Sequence, residues 1–224
     1  GEGRDSLGDR MKRYELAATY ALTPRTPVIV RVDGRSFHTW TRSANKPFDA
    51  GIMNAMALAT HCVSHDMQGC VMAYTQSDEA SFFLRDYAEI ESQPWFDYGY
   101  AKVVSITASM FTAQFNAIQT RSPATFDARA FNIPEADVAN YFLWRMQDWR
   151  RNSIQMLAQS KFSPKQLHKK KLDDLLSICA EAGHDWTSLS DHVKYGTLYL
   201  PMQRLAYHIE PSYANVQAVL ETAA

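Results

Sequence analysis

The chain has 224 residues, 46% of them hydrophobic, which is enough to bury one sizeable core with a helical extension. With 23 basic against 24 acidic residues the net charge is -1, which excludes a globally basic nucleic-acid binder and leaves only local segregation of charge. Three cysteines (Cys62, Cys70, Cys179) make no disulfide framework, no apolar run has bilayer-spanning length, and residues 1–10 lack the apolar core of a signal peptide. A cytoplasmic location is the expectation. The opening Gly-Glu-Gly without an initiator Met reads as a processed or tag-derived start.

In chain order, Asp5 can cap a first helix running to about Tyr20, with Leu7, Met11, Tyr14 and Ala18 on one stripe. Thr23-Pro24 and Thr26-Pro27 break it. Residues 28–32 (Val-Ile-Val-Arg-Val) read as a buried strand ending in Asp33-Gly34. Asp49 can cap a second helix, whose Ile52, Met56, Ala59 and Val63 share a face and which Gln68-Gly69 ends. Residues 71–74 and 80–84 read as two strands joined by the short polar stretch from Thr75 to Glu79, a hairpin. A third helix spans about 98–118, with Val104, Phe111, Phe115 and Ile118 available for burial, and residues 125–131 form the next strand candidate.

Strand, helix, hairpin, helix, strand is the order of the split βαβ, ferredoxin-like arrangement. From Pro134 the pattern is helical to about Ser160. Ser163-Pro164 opens another helix, with Gln166 placed for a capping box, and Leu172, Leu175, Leu176 and Cys179 mark a further one that stops near Gly183. Residues 192–200 read as a strand or hairpin arm. The expected fold is α+β: a ferredoxin-like palm of the polymerase or cyclase type over residues 1–133, with a helical C-terminal extension over 134–224. That boundary is weakly marked, and a single domain fits the sequence equally.

This topology brings distant acids together. Asp33 closes the first strand and Asp78-Glu79 lie in the hairpin, and in a split βαβ sheet these strands are central neighbours. Carboxylates so placed repel unless a cation sits between them, and hard oxygen ligands with room for phosphate suit Mg²⁺. Two such ions activate an attacking hydroxyl and stabilise departing pyrophosphate. Gly34 allows close backbone approach, the N–H groups of Arg35, Ser36, Phe37 and His38 are placed to cradle a triphosphate, and Lys46 and Lys102 are candidate phosphate neutralisers. Glu79 is either a third ligand or an orienting group for the hairpin, the second being the preferred reading.

In the C-terminal half, Arg145, Asp148, Asn152 and Gln155 fall on one helical stripe, suited to an RNA end or simply to solvent. Arg150 and Arg151 precede the strongest basic cluster, Lys161, Lys165, His168, Lys169, Lys170 and Lys171, which would bind phosphates salt-dependently or form a solvated run. Trp144 and Trp149 read as core or interface residues rather than base-stacking platforms.

Arg31-Val32-Asp33-Gly34-Arg35-Ser36-Phe37-His38, Lys46-Pro47 and Tyr74-Thr75-Gln76-Ser77-Asp78-Glu79 resemble the tRNA(His) guanylyltransferase family and its guanylyltransferase-like 3′-to-5′ polymerases. The resemblance continues through Ala101-Lys102, Phe126-Asp127-Ala128-Arg129, residues 141–145, Asp148, residues 151–154 and Lys194-Tyr195-Gly196-Thr197. It implies nucleotide addition to the 5′ end of tRNA. The end is activated by adenylylation with ATP or carries a triphosphate, and the 3′-hydroxyl of GTP or another NTP attacks it. By matching position, Asp33, the Gly34 carbonyl and Asp78 would hold two Mg²⁺. Asp33, Gly34, Arg35, Ser36, Phe37 and His38, with Ser77 and Asp78, would hold the nucleotide. Arg129, Arg145, Asp148, Arg150, Arg151, Asn152, Lys161, Lys165 and Lys194 would face tRNA.

Members of that family form tetramers as dimers of dimers, so a homotetramer is implied too. Where eukaryotic members carry His-Ile-Asn-Asn, this chain has Arg150-Arg151-Asn152-Ser153, similar to the bacterial and archaeal members that repair truncated tRNA 5′ ends on a template. A palm-type cyclase or other nucleotide-condensing enzyme, and a non-catalytic RNA-binding relic, are the alternatives. The first predicts the same aspartates without the basic half, and the second is disfavoured by the presence of both.

Overall fold

A computed structural model describes residues 5–224; the opening residues 1–4, read above as a processed start, lie outside it. Helix α1 is Leu7–Ala17. Its cap is Ser6 rather than Asp5: the Ser6 hydroxyl accepts from the Asp9 N–H, and the Asp9 carboxylate accepts back from the Ser6 N–H in a capping box. The apolar stripe is present, but Leu7, Met11 and Tyr14 are exposed and no residue of α1 is buried.

Strand β1 is Val28–Gly34, followed by the single-turn helix α2, Phe37–Trp40, and by α3, Ala50–Asp66. Asp49 caps α3, its carboxylate accepting from the Ile52 N–H at 3.0 Å. β2 (Cys70–Gln76) and β3 (Glu79–Leu84) form the hairpin. α4 (Tyr100–Ile118) buries Val103, Thr107, Phe111 and Phe115, with the expected Val104 only half-buried at the edge of that face. β4 (Phe126–Asn132) follows. Pro134 opens a short 3-10 turn over Glu135–Asp137, and α5 then runs from Val138 to Lys161.

The rest of the chain is α6 (Pro164–Leu167), α7 (Leu172–Glu181), α8 (Asp191–Tyr195), β5 (Thr197–Leu200), β6 (Leu205–Tyr207) and α9 (Tyr213–Thr222). The arm expected over 192–200 is therefore part helix: α8 turns at Gly196 (φ 73) into β5. A Cβ at Gly196 would meet the Thr75 carbonyl oxygen at 2.7 Å, so glycine is required where this segment joins β2.

The fold is mixed α/β, built on one six-stranded antiparallel sheet in the order β4-β1-β3-β2-β5-β6. Side chains alternate between its faces. Val28, Val30, Val32, Phe82 and Phe126 pack with α3 and α4, whereas Ile29, Phe83, Met72 and Tyr74 pack with α5 and α9. Asp33 and Arg31 alternate with Val32, so both lie on the α5 side. Among the described residues no helix is long and apolar enough to cross a membrane.

Candidate active site

The end of β1 gathers the acids. Asp33 stands opposite Glu79 of β3 and opposite Asp127 of β4. The Gly34 N–H donates to the Asp78 carbonyl at 2.9 Å, lacing the hairpin tip to β1. Ser77, in the left-handed region at φ 51, makes the turn that presents Asp78. Burial, then the charges of Asp33 and Asp127, hold the Asp78 carboxyl above its ordinary range. Arg31 Nε and Arg129 Nη2 each lie 3.3 Å from the same oxygen of Asp33. These two arginines face each other across the β1–β4 ladder, a like-charge placement that costs free energy unless an anion lies between them.

Next to the acids the backbone comes close. A Cβ at Gly34 would meet the Phe37 ring at 2.3 Å, so Phe37 can fill the core beside Trp40, Phe115 and Phe126 only because residue 34 has no side chain. Ser36, at φ 52, turns the chain into α2. Beyond it a cavity of about 630 Å³ opens, within the range of small-molecule sites. Ser77, Asp78, His38 and Lys46 form its polar side, and Phe48 and Met53 lie on its apolar side. Lys46 Nζ donates to the Thr41 carbonyl at 3.2 Å, which keeps the ammonium at this rim.

Below the acids lies a buried polar network. Glu79 Oε1 accepts from Arg145 Nη1 at 2.8 Å and from Gln76 Nε2 at 2.8 Å. Burial pushes the Glu79 carboxyl up to about 7, against the opposing pull of Arg145. Asp148 continues the network: it lies 3.5 Å from Arg145, pairs with Arg151 and accepts from Asn152 at 3.2 Å.

Four expectations need correction. Arg145, expected to face RNA, is buried and bound to Glu79, so its guanidinium serves the hairpin. Lys194, expected likewise, is buried, donating to the Thr187 carbonyl at 3.0 Å and lying over the Trp186 and Tyr195 rings. Lys102 lies in the first turn of α4, whereas Phe115, in the last, packs against Phe37. The thirteen-residue step between them spans roughly 20 Å of helix, so Lys102 is at the far end of the sheet and cannot neutralise phosphates at this chain's Asp33. The Arg35 N–H donates to the Thr125 carbonyl at 2.8 Å and so is not free for a phosphate cradle.

Arg129, Arg151, Lys161 and Lys165 are exposed, and Lys161 follows Ser160, which lines the cavity. Arg150 is half-buried with its guanidinium over Trp186. Two charged residues beside the acids were given no role from sequence, Arg31 and Asp127; both were legible in principle, since Arg31-x-Asp33 and Asp127-x-Arg129 each put both charges on one strand face.

Residues 8–134 match the family model for tRNAHis guanylyltransferase (Thg1). The tRNA(His) guanylyltransferase of Schizosaccharomyces pombe is 31% identical over 156 residues, taking in 63% of this chain and 58% of that enzyme. A bacterial tRNA(His) guanylyltransferase-like protein solved in complex with ATP superposes with a TM-score of 0.92 at 37% identity, covering 97% of this chain and 99% of that one. One solved in complex with GTP gives 0.81 at 35% identity, covering 98% and 99%. The chain belongs to the tRNAHis guanylyltransferase family.

Proposed function

We propose that the chain is a nucleotidyltransferase that extends tRNA at its 5′ end in the 3′-to-5′ direction, by template-directed repair of truncated ends, by G addition to tRNA(His), or by both. The observation that carries the reading is the convergence of Asp33 and Asp78 at one sheet end, open to a nucleotide-sized cavity. The strand order β4-β1-β3-β2, antiparallel throughout, supports the ferredoxin-like palm.

The donor set fits Mg²⁺. Two hard carboxylates crowd each other, one already resisting ionisation, and residue 34 has no side chain to obstruct an ion or phosphate. Asp33, the Gly34 carbonyl and Asp78 would hold two ions, which when bound supply activation of the attacking hydroxyl and neutralise charge on the leaving group. Ser36, Phe37 and His38 open α2, where first-turn N–H groups have no intrahelical acceptor and can donate to a phosphate. Ser77 and Lys46 bind from the other walls of the cavity. In the bond-forming step the 3′-hydroxyl oxygen of the bound NTP attacks the activated 5′ phosphorus of the RNA. The new P–O bond replaces the bond to AMP or to pyrophosphate, and the hydroxyl proton passes to solvent.

The exposed Arg129, Arg151, Lys161 and Lys165 are assigned to RNA phosphates, Lys161 following the cavity-lining Ser160, and Arg150, Asp148 and Asn152 to the ordered edge of that surface. The assembly is a homotetramer. Asp33→Asn and Asp78→Asn should each lower turnover by about three orders of magnitude, as loss of several kcal/mol of charge stabilisation requires. Melting temperature and circular dichroism should remain those of the native protein. Near-native turnover in either variant would remove the metal assignment.

A further inference from the structure

Of the five tryptophans, Trp95, Trp149 and Trp186 are buried and Trp40 is half-buried; Trp144 alone is exposed, at 52%. It lies on α5, on the sheet face that carries Asp33. The Arg145 guanidinium carbon lies 3.8 Å from the centre of its ring, and that of Arg31 lies 5.8 Å from it. The Tyr141 ring packs against it in a T-shaped arrangement, with ring centres 5.9 Å apart. Arg145 is fixed by Glu79 and Arg31 by Asp33, so the indole is held by two arginines that are themselves anchored at the catalytic acids. Unlike the other exposed apolar side chains, this ring is flanked by two arginines and lies one side chain away from Asp33.

That combination of a fixed π-face with arginines beside it is what binds a nucleobase whose phosphates lie nearby. Building on the reading above, we propose that Trp144 is a stacking platform for a base at the 5′ end of the RNA, or for the base paired with it. It would fix the attacked phosphorus beside Asp33 while Arg31 and Arg129 take the adjoining phosphate oxygens. The nucleotide cavity is walled by other residues, Trp149 among them, and does not include Trp144, so the platform serves the RNA rather than the incoming NTP. Trp144 is thus a positioning residue for the polynucleotide.

The test compares Trp144→Leu and Trp144→Phe with the native protein, using a 5′-truncated tRNA and GTP. Loss of one base–aromatic stack predicts that Trp144→Leu raises the RNA Kd and KM roughly 5- to 150-fold. Trp144→Phe should recover most of that loss, and the affinity for GTP should stay within about twofold. RNA should quench the native tryptophan fluorescence, and the Trp144→Phe protein should lose that quenching. Unchanged RNA affinity in Trp144→Leu overturns the proposal. So does a parallel loss of GTP affinity, which would show Trp144 acting through Arg145 on the acids, and so does a fall in oligomeric mass, which would make it an interface residue. If the native protein binds no RNA at all, the parent reading falls as well, whereas native binding and extension with an indifferent Trp144→Leu sinks this inference alone.

Discussion

Asp33 and Asp78 are each held in place by residues other than themselves. Asp33 is placed by strand register, Asp78 by a left-handed Ser77 and by its own carbonyl's bond from Gly34. Beneath them Glu79 and Arg145 form an ion pair with side chains that are each only 9% exposed. Such a pair is costly to desolvate, and removing one partner leaves the other charge stranded. Arg145→Met should therefore lower unfolding free energy by about 3 kcal/mol in chemical denaturation, and the double variant Glu79→Leu/Arg145→Met should regain most of it. A single substitution that costs less than about 1 kcal/mol would show that the pair does not brace the hairpin.

Among the elements, α3 lines the cavity with Ile52 and Met53, and its start is set by Asp49. The Asp49 carboxylate accepts from Ile52 and Asn45 and pairs with Arg121 at 3.0 Å. Burial opposes its ionisation, but the Ile52 and Asn45 N–H groups and Arg121 outweigh it and hold the carboxyl below its ordinary range. A carboxyl depressed in the folded state stabilises at any pH above its unfolded value, near 3.9, and loses that contribution as the pH falls through the folded value. Asp49→Ala should thus cost about 1 kcal/mol at neutral pH and progressively less in acid, where the native carboxyl is protonated as well. Equal costs at pH 7 and pH 2.5 in urea titrations would contradict the capping account.

Elements of this kind were legible in the sequence because their signals are local. Asp49 precedes an apolar helical face, the apolar runs of β2 and β3 flank Ser77-Asp78, and Ser163-Pro164 carries its capping box. What was not legible depended on long-range packing. Arg145 sits on a polar stripe that looks solvated until β3 brings Glu79 against it, and Lys194 looks like a free cation until Trp186 covers it. Lys102, by contrast, carries a suitable charge at the wrong end of α4, which the hairpin already implies: β3 runs away from Asp78, so the helix that follows it begins at the far end. Asp5 and Ser6 are both competent caps, and the choice rests on which hydroxyl or carboxylate reaches the Asp9 N–H.

At the scale of the whole molecule, the sheet joins the two halves of the chain: β5 pairs with β2, and α5 crosses the face that holds Asp33 and Glu79. The first half of the chain therefore supplies the acids, and α5 of the second half closes the cavity beside them with Trp149, Met156, Gln159 and Ser160. The sharpest test of the central claim is to incubate the native protein with Mg²⁺, ATP, labelled GTP and a tRNA lacking its first nucleotide, and then to map the labelled end. The account predicts a tRNA longer at its 5′ end, with label joined through a 3′–5′ phosphodiester to the original first residue. Label at the 3′ end only, or a cyclic or condensed nucleotide with the tRNA unchanged, would contradict it.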